Sequence, residues 1–182
     1  MLQLFKSITS SRFCWFLLLL SGVALEACGL FFQYELSLNP CVNCVYERAF
    51  FLGFIVTGFL GAIAASFFII RFICSLGFLA SAIGGLTVAW EHYNAYHTVN
   101  TGFGSSCKLQ TEFPSFLPLD EIAPFMFKAT GLCSDKIDWS LLGYPMPDWI
   151  LLTFGTASLI ALFMFLSNFV RRKTNNFTNL YR

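Results

Sequence analysis

Apolar side chains gather along this chain in four long blocks, at about residues 13–32, 46–65, 72–90 and 149–170, and none alternates with polar residues as a strand would. Each block is close to the ~20 residues a helix needs to cross the hydrocarbon of a bilayer. Backbone in lipid must satisfy its own hydrogen bonds, and unalternated runs of this length do so as helices. The second and third blocks are nearly continuous, broken only around residues 66–71, which predicts a tight turn. The pattern therefore predicts an all-α integral membrane protein. It is a single domain over residues 1–182, a four-transmembrane-helix bundle with loops at about 33–45 and 91–148.

Composition supports this. The chain is 57% hydrophobic and only 12% charged, whereas a soluble domain carries about 25% charged residues. The net charge of +1 says little, but its distribution sets the orientation. Lys6, Arg12, Arg71, Arg171, Arg172, Lys173 and Arg182 occupy the two tails and the tight turn, with no acid among them. Residues 91–148 carry Lys108, Lys128 and Lys136 against Glu91, Glu112, Asp120, Glu121, Asp135, Asp138 and Asp148. The positive-inside rule makes both termini cytoplasmic and puts the two loops outside. Membrane lipid is then the first partner, no nucleic acid is expected, and a monomer meets every requirement of the sequence.

The N-terminus also invites reading as a cleaved signal, with Leu25-Glu26-Ala27-Cys28 as the cleavage region. Glu26 fits that poorly, and the apolar run continues through Phe31 and Phe32. Cleavage would also leave three spans and put the basic C-terminus on the wrong side. An uncleaved first span is expected.

Topology sorts the seven cysteines. Cys14, Cys28 and Cys74 lie in or at the edges of spans, where a thiol acts as a small apolar group. Cys41, Cys44, Cys107 and Cys133 all fall outside, where disulfides persist. Four cysteines allow three pairings. Cys41–Cys44 is the natural local pair, and Cys107–Cys133 would then close a loop that is either a structural staple or an exchangeable bond. Zinc wants two C-x-x-C knuckles, which the second pair does not supply, so no metal is expected.

Around the close pair the sequence reads Pro40-Cys41-Val42-Asn43-Cys44-Val45-Tyr46-Glu47-Arg48. A helix starting near Asn43, with Asn43 as its cap, puts Cys44 and Arg48 at i and i+4 on one face. A cation and a helix N-terminus both favour thiolate. An arginine snorkelling to headgroups is the bland alternative. His92, at the end of the third span, could donate a hydrogen bond or shuttle a proton; a solvated histidine is the bland reading. Met146-Pro147-Asp148-Trp149 opens the fourth span, with Trp90 and Trp149 suited to an interfacial belt. Glu26 is an intramembrane acid and so a functional candidate without a nameable partner.

Between Cys107 and Cys133, residues 113–127 combine large apolar groups with three prolines. That composition predicts a short helix resting on the membrane surface. Gly102, Gly104 and Gly131 flank the two cysteines and would let the loop move.

Taken together, the chain resembles the DsbB family of disulfide bond formation proteins over nearly its whole length. The resemblance rests on four spans, P-C-x-x-C-x-Y-E-R after the first, E-H after the third and M-P-x-W entering the fourth. Cys107 and Cys133, with F-P-x-x-L-P-L-D between them, complete it. It implies a quinone-dependent thiol oxidase of the bacterial inner membrane, active on the periplasmic side. A reduced DsbA-like thioredoxin-fold oxidase would attack the Cys107–Cys133 disulfide, with Cys107 as mixed-disulfide partner. Cys133 would pass the electrons to Cys41, and Cys44 would deliver them to a quinone, ubiquinone or menaquinone, held by Arg48. His92, Met146 and Trp149 match positions near that quinone. Asn43 inside the motif and the extra Cys28 and Cys74 are departures with no assigned role.

Two rivals differ in kind. The vitamin K epoxide reductase-like family places its C-x-x-C in a late span after the loop cysteines, whereas here it comes first. A non-enzymatic tetraspan would use both disulfides as staples and reduce no quinone; a metal- or haem-handling membrane protein is a further class.

Overall fold

The computed structural model describes residues 11–98, 113, 118–131 and 139–169. Three long helices come first: α1 (Arg12–Tyr34), α2 (Val42–Ala64) and α3 (Phe68–Thr98). Two single-turn helices follow, α4 (Leu119–Ile122) and α5 (Pro124–Phe127), then a hairpin of β1 (Ser140–Leu141) and β2 (Tyr144–Pro145), and last α6 (Met146–Ser167). α1, α2, α3 and α6 are each long and apolar enough to cross a membrane. Cys107, Cys133, Lys6 and the basic residues of the C-terminal tail lie outside the described residues.

Short links make the first three helices sequential neighbours, α1 packing on α2 and α2 on α3, and the long connection through residues 99–145 returns α6 to pack on α3. Association in lipid relies on close packing rather than on expelling water, so small residues matter at the contacts. Gly61 lies under the Trp15 ring and Gly85 under Phe154, and a Cβ at either would run into the ring. Trp15, Phe54, Phe78 and Phe154 are sealed from the surface at 0–2% exposure. Phe51 stacks on Phe154 at 4.7 Å between ring centroids, joining α2 to α6. At the far end, Arg71 Nε donates to Asn168 Oδ1 (3.1 Å) and Asn168 Nδ2 to Ser75 Oγ (2.8 Å), clamping the start of α3 to the end of α6.

Two features differ from the sequence pattern. α3 runs on to Thr98, past the point where the apolar block stops, because neither glycine nor proline interrupts Glu91 to Thr98 and a helix need not end where lipid does. The surface segment forms two single turns. Pro124 has no N–H and disfavours helix at the residue before it, and Ala123 sits at φ −137°, ψ 66°. The hairpin closes through Leu142 (φ 55°) and Gly143 (φ 83°), the left-handed pair of a type I′ turn, and delivers the chain straight into α6.

Candidate active site

The start of α2 is set by Pro40. The chain leaves it extended, and Cys41 (φ −80°, ψ 171°) becomes the N-cap. Its Sγ accepts the Cys44 N–H at 3.3 Å, the place a Ser or Asp oxygen usually fills. Asn43 is therefore not the cap the sequence suggested: the helix begins earlier, and Asn43 lies buried inside the first turn. Cys44 follows it in that turn, at the positive end of the helix dipole. The Cys41 and Cys44 sulfurs are 2.7 Å apart, so an S–S bond closes with a movement well under an ångström.

Arg48 lies one turn further along α2 and is 7% exposed. Its Nη1 donates to Gln33 Oε1 at 2.6 Å and to the Met126 carbonyl at 3.0 Å, and its Nη2 to the Gly29 carbonyl at 2.7 Å. Gly29 lets α1 approach this closely, since a Cβ there would press on the guanidinium. All three acceptors are neutral, so among the described residues no hydrogen-bonded carboxylate cancels the charge. Glu26, one turn before Gly29, is near enough for the Arg48 charge to act on it. It is 5% exposed, and neither of its carboxylate oxygens has a hydrogen-bond partner among the described residues.

On the other neighbour of α2, α3 brings His92 to the two sulfurs. Its Nε2 lies 3.7 Å from Cys41 Sγ and 4.0 Å from Cys44 Sγ. Its Nδ1 meets Glu47 Oε1 at 2.9 Å, and Glu47 and His92 are 1% and 2% exposed. Burying both among apolar groups is tolerable because each satisfies the other. Among the described residues Cys41, Cys44 and His92 are the group whose donor atoms, all within 4.8 Å, could hold a metal ion.

A cavity of about 170 Å³ opens beside Cys44. Its walls include Cys44, Glu47 and Arg48 of α2, Gln33 of α1, and Met146 and Trp149 of α6. Cys28 also lines it, whereas Cys41 and His92 do not. Trp149 is held by its indole N–H, which donates to the Leu141 carbonyl of the hairpin at 3.2 Å. A second apolar cavity of about 440 Å³ continues between α1 and α6, and Leu25 and Thr153 border both.

The segment 118–131 covers this end of the bundle. The Phe125 carbonyl accepts from Tyr34 Oη (2.9 Å) and Gln33 Nε2 (3.2 Å), and the Thr130 and Gly131 amides donate to the Pro40 carbonyl at 2.9 and 3.1 Å. Phe127 is buried beneath it. Gly131, next but one to Cys133 in sequence, is thus fixed one residue from Cys41.

The sequence profile of Disulfide bond formation protein DsbB matches residues 11–164. The chain belongs to the DsbB family. Disulfide bond formation protein B of Histophilus somni is 37% identical over 175 residues, 96% of this chain and 97% of that protein. The protein of the same name from Shewanella loihica is 41% identical over 156 residues, 86% and 89% of the two chains. That of Photobacterium profundum is 36% identical over 180 residues, 98% and 100%. With four helices able to span, this DsbB-family chain is a multi-pass inner-membrane oxidoreductase of disulfide bond formation.

Sequence reasoning brought Cys41, Cys44, Arg48, Met146 and Trp149 to one neighbourhood, and the structure places His92 on the sulfurs. It passed over Glu47 and Gln33. A carboxylate inside an apolar stretch is a functional signal in itself, and Glu47 carries that signal. Gln33 carries none, and its role appears only when α1 packs on α2.

Proposed function

We propose that this DsbB-family protein reoxidises a periplasmic thioredoxin-fold oxidase and passes the electrons to a membrane quinone. The reduced partner attacks the Cys107–Cys133 disulfide at Cys107. The Cys133 thiolate freed when Cys107 bonds to the partner attacks Cys41, breaking the Cys41–Cys44 bond and releasing Cys44 as thiolate. The observation that carries this reading is that Cys44 and Arg48 share one apolar cavity that Cys41 does not border. Cys44 is thereby the sulfur offered to a lipid-soluble acceptor, which leaves Cys41 to exchange with protein thiols.

The cavity suits a quinone ring. About 150 Å³ of dry space is enough for benzene, and about 170 Å³ is present here. Met146 and Trp149 supply apolar faces, and Arg48, bonded among the described residues to neutral acceptors, supplies a charge that developing negative density can use. The seam between α1 and α6 offers an apolar continuation for an isoprenoid tail. A bound quinone supplies a two-electron, two-proton sink that resides in the same bilayer.

The deciding experiment is quinone reduction by the purified protein in detergent, driven by a reduced thioredoxin-fold partner. Cys41→Ser and Cys107→Ser each abolish it; turnover retained in Cys41→Ser refutes the scheme. Trials with ubiquinone and menaquinone identify the acceptor.

A further inference from the structure

Regenerating the Cys41–Cys44 disulfide removes two electrons and two protons from the cysteine pair. Cys44 borders the cavity and can release its proton there. Cys41 does not border it and is 3% exposed, so its proton must leave through a neighbouring group. Two acceptors reach it: Cys44 Sγ at 2.7 Å, the sulfur on which the new bond has to form, and His92 Nε2 at 3.7 Å. Across the ring, Nδ1 lies 2.9 Å from Glu47 Oε1, and Glu47 is itself part of the cavity wall.

We propose that His92 and Glu47 carry the Cys41 proton to the cavity. The inference rests on the electron path proposed above. The Cys41 S–H bond breaks, its electron pair stays on sulfur, and a bond from hydrogen to Nε2 forms. Nδ1 gives its own proton to Glu47 Oε1, which presents it at the wall beside Cys44. The Cys41 thiolate is then the nucleophile that closes the S–S bond on Cys44, the two electrons given up by the sulfur pair passing to the quinone of the electron path above, and exchange between the two ring tautomers resets His92. A nucleophile, a base and an acid that orients the base form a recurrent arrangement for activating thiols. Here the acid also has an outlet.

Among the described residues few other charges compete. α3 is flanked by α2 and α6. From α2, Cys41, Cys44 and Glu47 face His92, while Arg48 turns to α1. From α6 the charged residue is Asp148, which pairs with His97 at 2.9 Å. Glu91, beside His92 on α3, is exposed.

The test uses the reduced, quinone-free protein. It reads the nitrogen-15 signals of His92 and the ultraviolet thiolate absorption of Cys41, taken as the difference from Cys41→Ser. The expected result is a His92 ring protonated at Nδ1 and gaining a proton at Nε2 in step with thiolate formation. Glu47→Gln keeps a hydrogen-bond acceptor for Nδ1–H but not the charge or the proton site. It lowers the Cys41 thiolate fraction at neutral pH about tenfold, the effect of one pKa unit. A folded Glu47→Gln protein with both signals unchanged overturns the proposal and makes Glu47 a structural partner. Should that variant not fold, the wild-type signals decide alone: a His92 that never changes protonation as the thiolate forms is equally fatal. Quinone consumption in the cysteine variants is independent of these signals, so the electron path stands or falls separately.

Discussion

Arg48 donates to the main-chain carbonyl of Met126 at 3.0 Å, so the segment that leads toward Cys133 is fastened to a residue of the cavity wall. A position of the loop is thereby felt where the acceptor is expected to bind. The same guanidinium holds Gln33 and Gly29, and its planar fork is what lets one side chain reach three acceptors.

Replacing Arg48 with alanine should raise the KM for quinone at least tenfold while changing thiol exchange with the partner less. Arg48→Lys should recover little, because an ammonium cannot reproduce the fork. Steady-state kinetics with quinone and partner varied separately check this, and equal damage to both steps refutes the role given to Arg48.

Gln33 bridges Arg48 and the Phe125 carbonyl. Gln33→Leu leaves one Arg48 N–H without its partner, a loss of about 1–3 kcal/mol, and leaves the Phe125 carbonyl to Tyr34 Oη alone. Weaker quinone binding and faster hydrogen exchange in residues 124–127 are the expected readouts. Unchanged exchange there would mean the bridge does not hold the segment.

Gly131 fits against Asn39, and a Cβ there would lie 2.6 Å from the Asn39 carbonyl oxygen. Gly131→Val should therefore lift the segment from Pro40 and slow electron transfer from the loop cysteines to Cys41. The quinone KM should be little altered. Stopped-flow oxidation of a reduced partner separates the two; a raised KM with normal transfer contradicts the assignment.

Gly61→Val should destabilise the bundle by about 1–3 kcal/mol, the usual cost of overpacking, because the added group meets the Trp15 ring. Thermal unfolding in detergent measures it. A variant as stable as the parent would show that α1 and α2 shift apart freely.

Much of this was legible in the chain. The apolar blocks gave the spanning helices, since lipid leaves a backbone few choices, and helical spacing put Arg48 a turn from Cys44. The His92–Glu47 contact was not legible: 45 residues separate the two, and only the packing of α3 on α2 joins them. Asn43 looked like a cap because its side chain is a good one, yet Pro40 starts the helix early enough for a sulfur to take that place. The surface helix was read from composition, which does not show that Pro124 splits it.

That sulfur cap turns the first turn of α2 into a gauge of oxidation state. Cys41 Sγ accepts the Cys44 amide at 3.3 Å, and an anionic sulfur is a far better acceptor than one in a disulfide. Each cycle should therefore tighten and relax this turn, and the Cys44 amide resonance becomes a built-in meter of the charge on its neighbour.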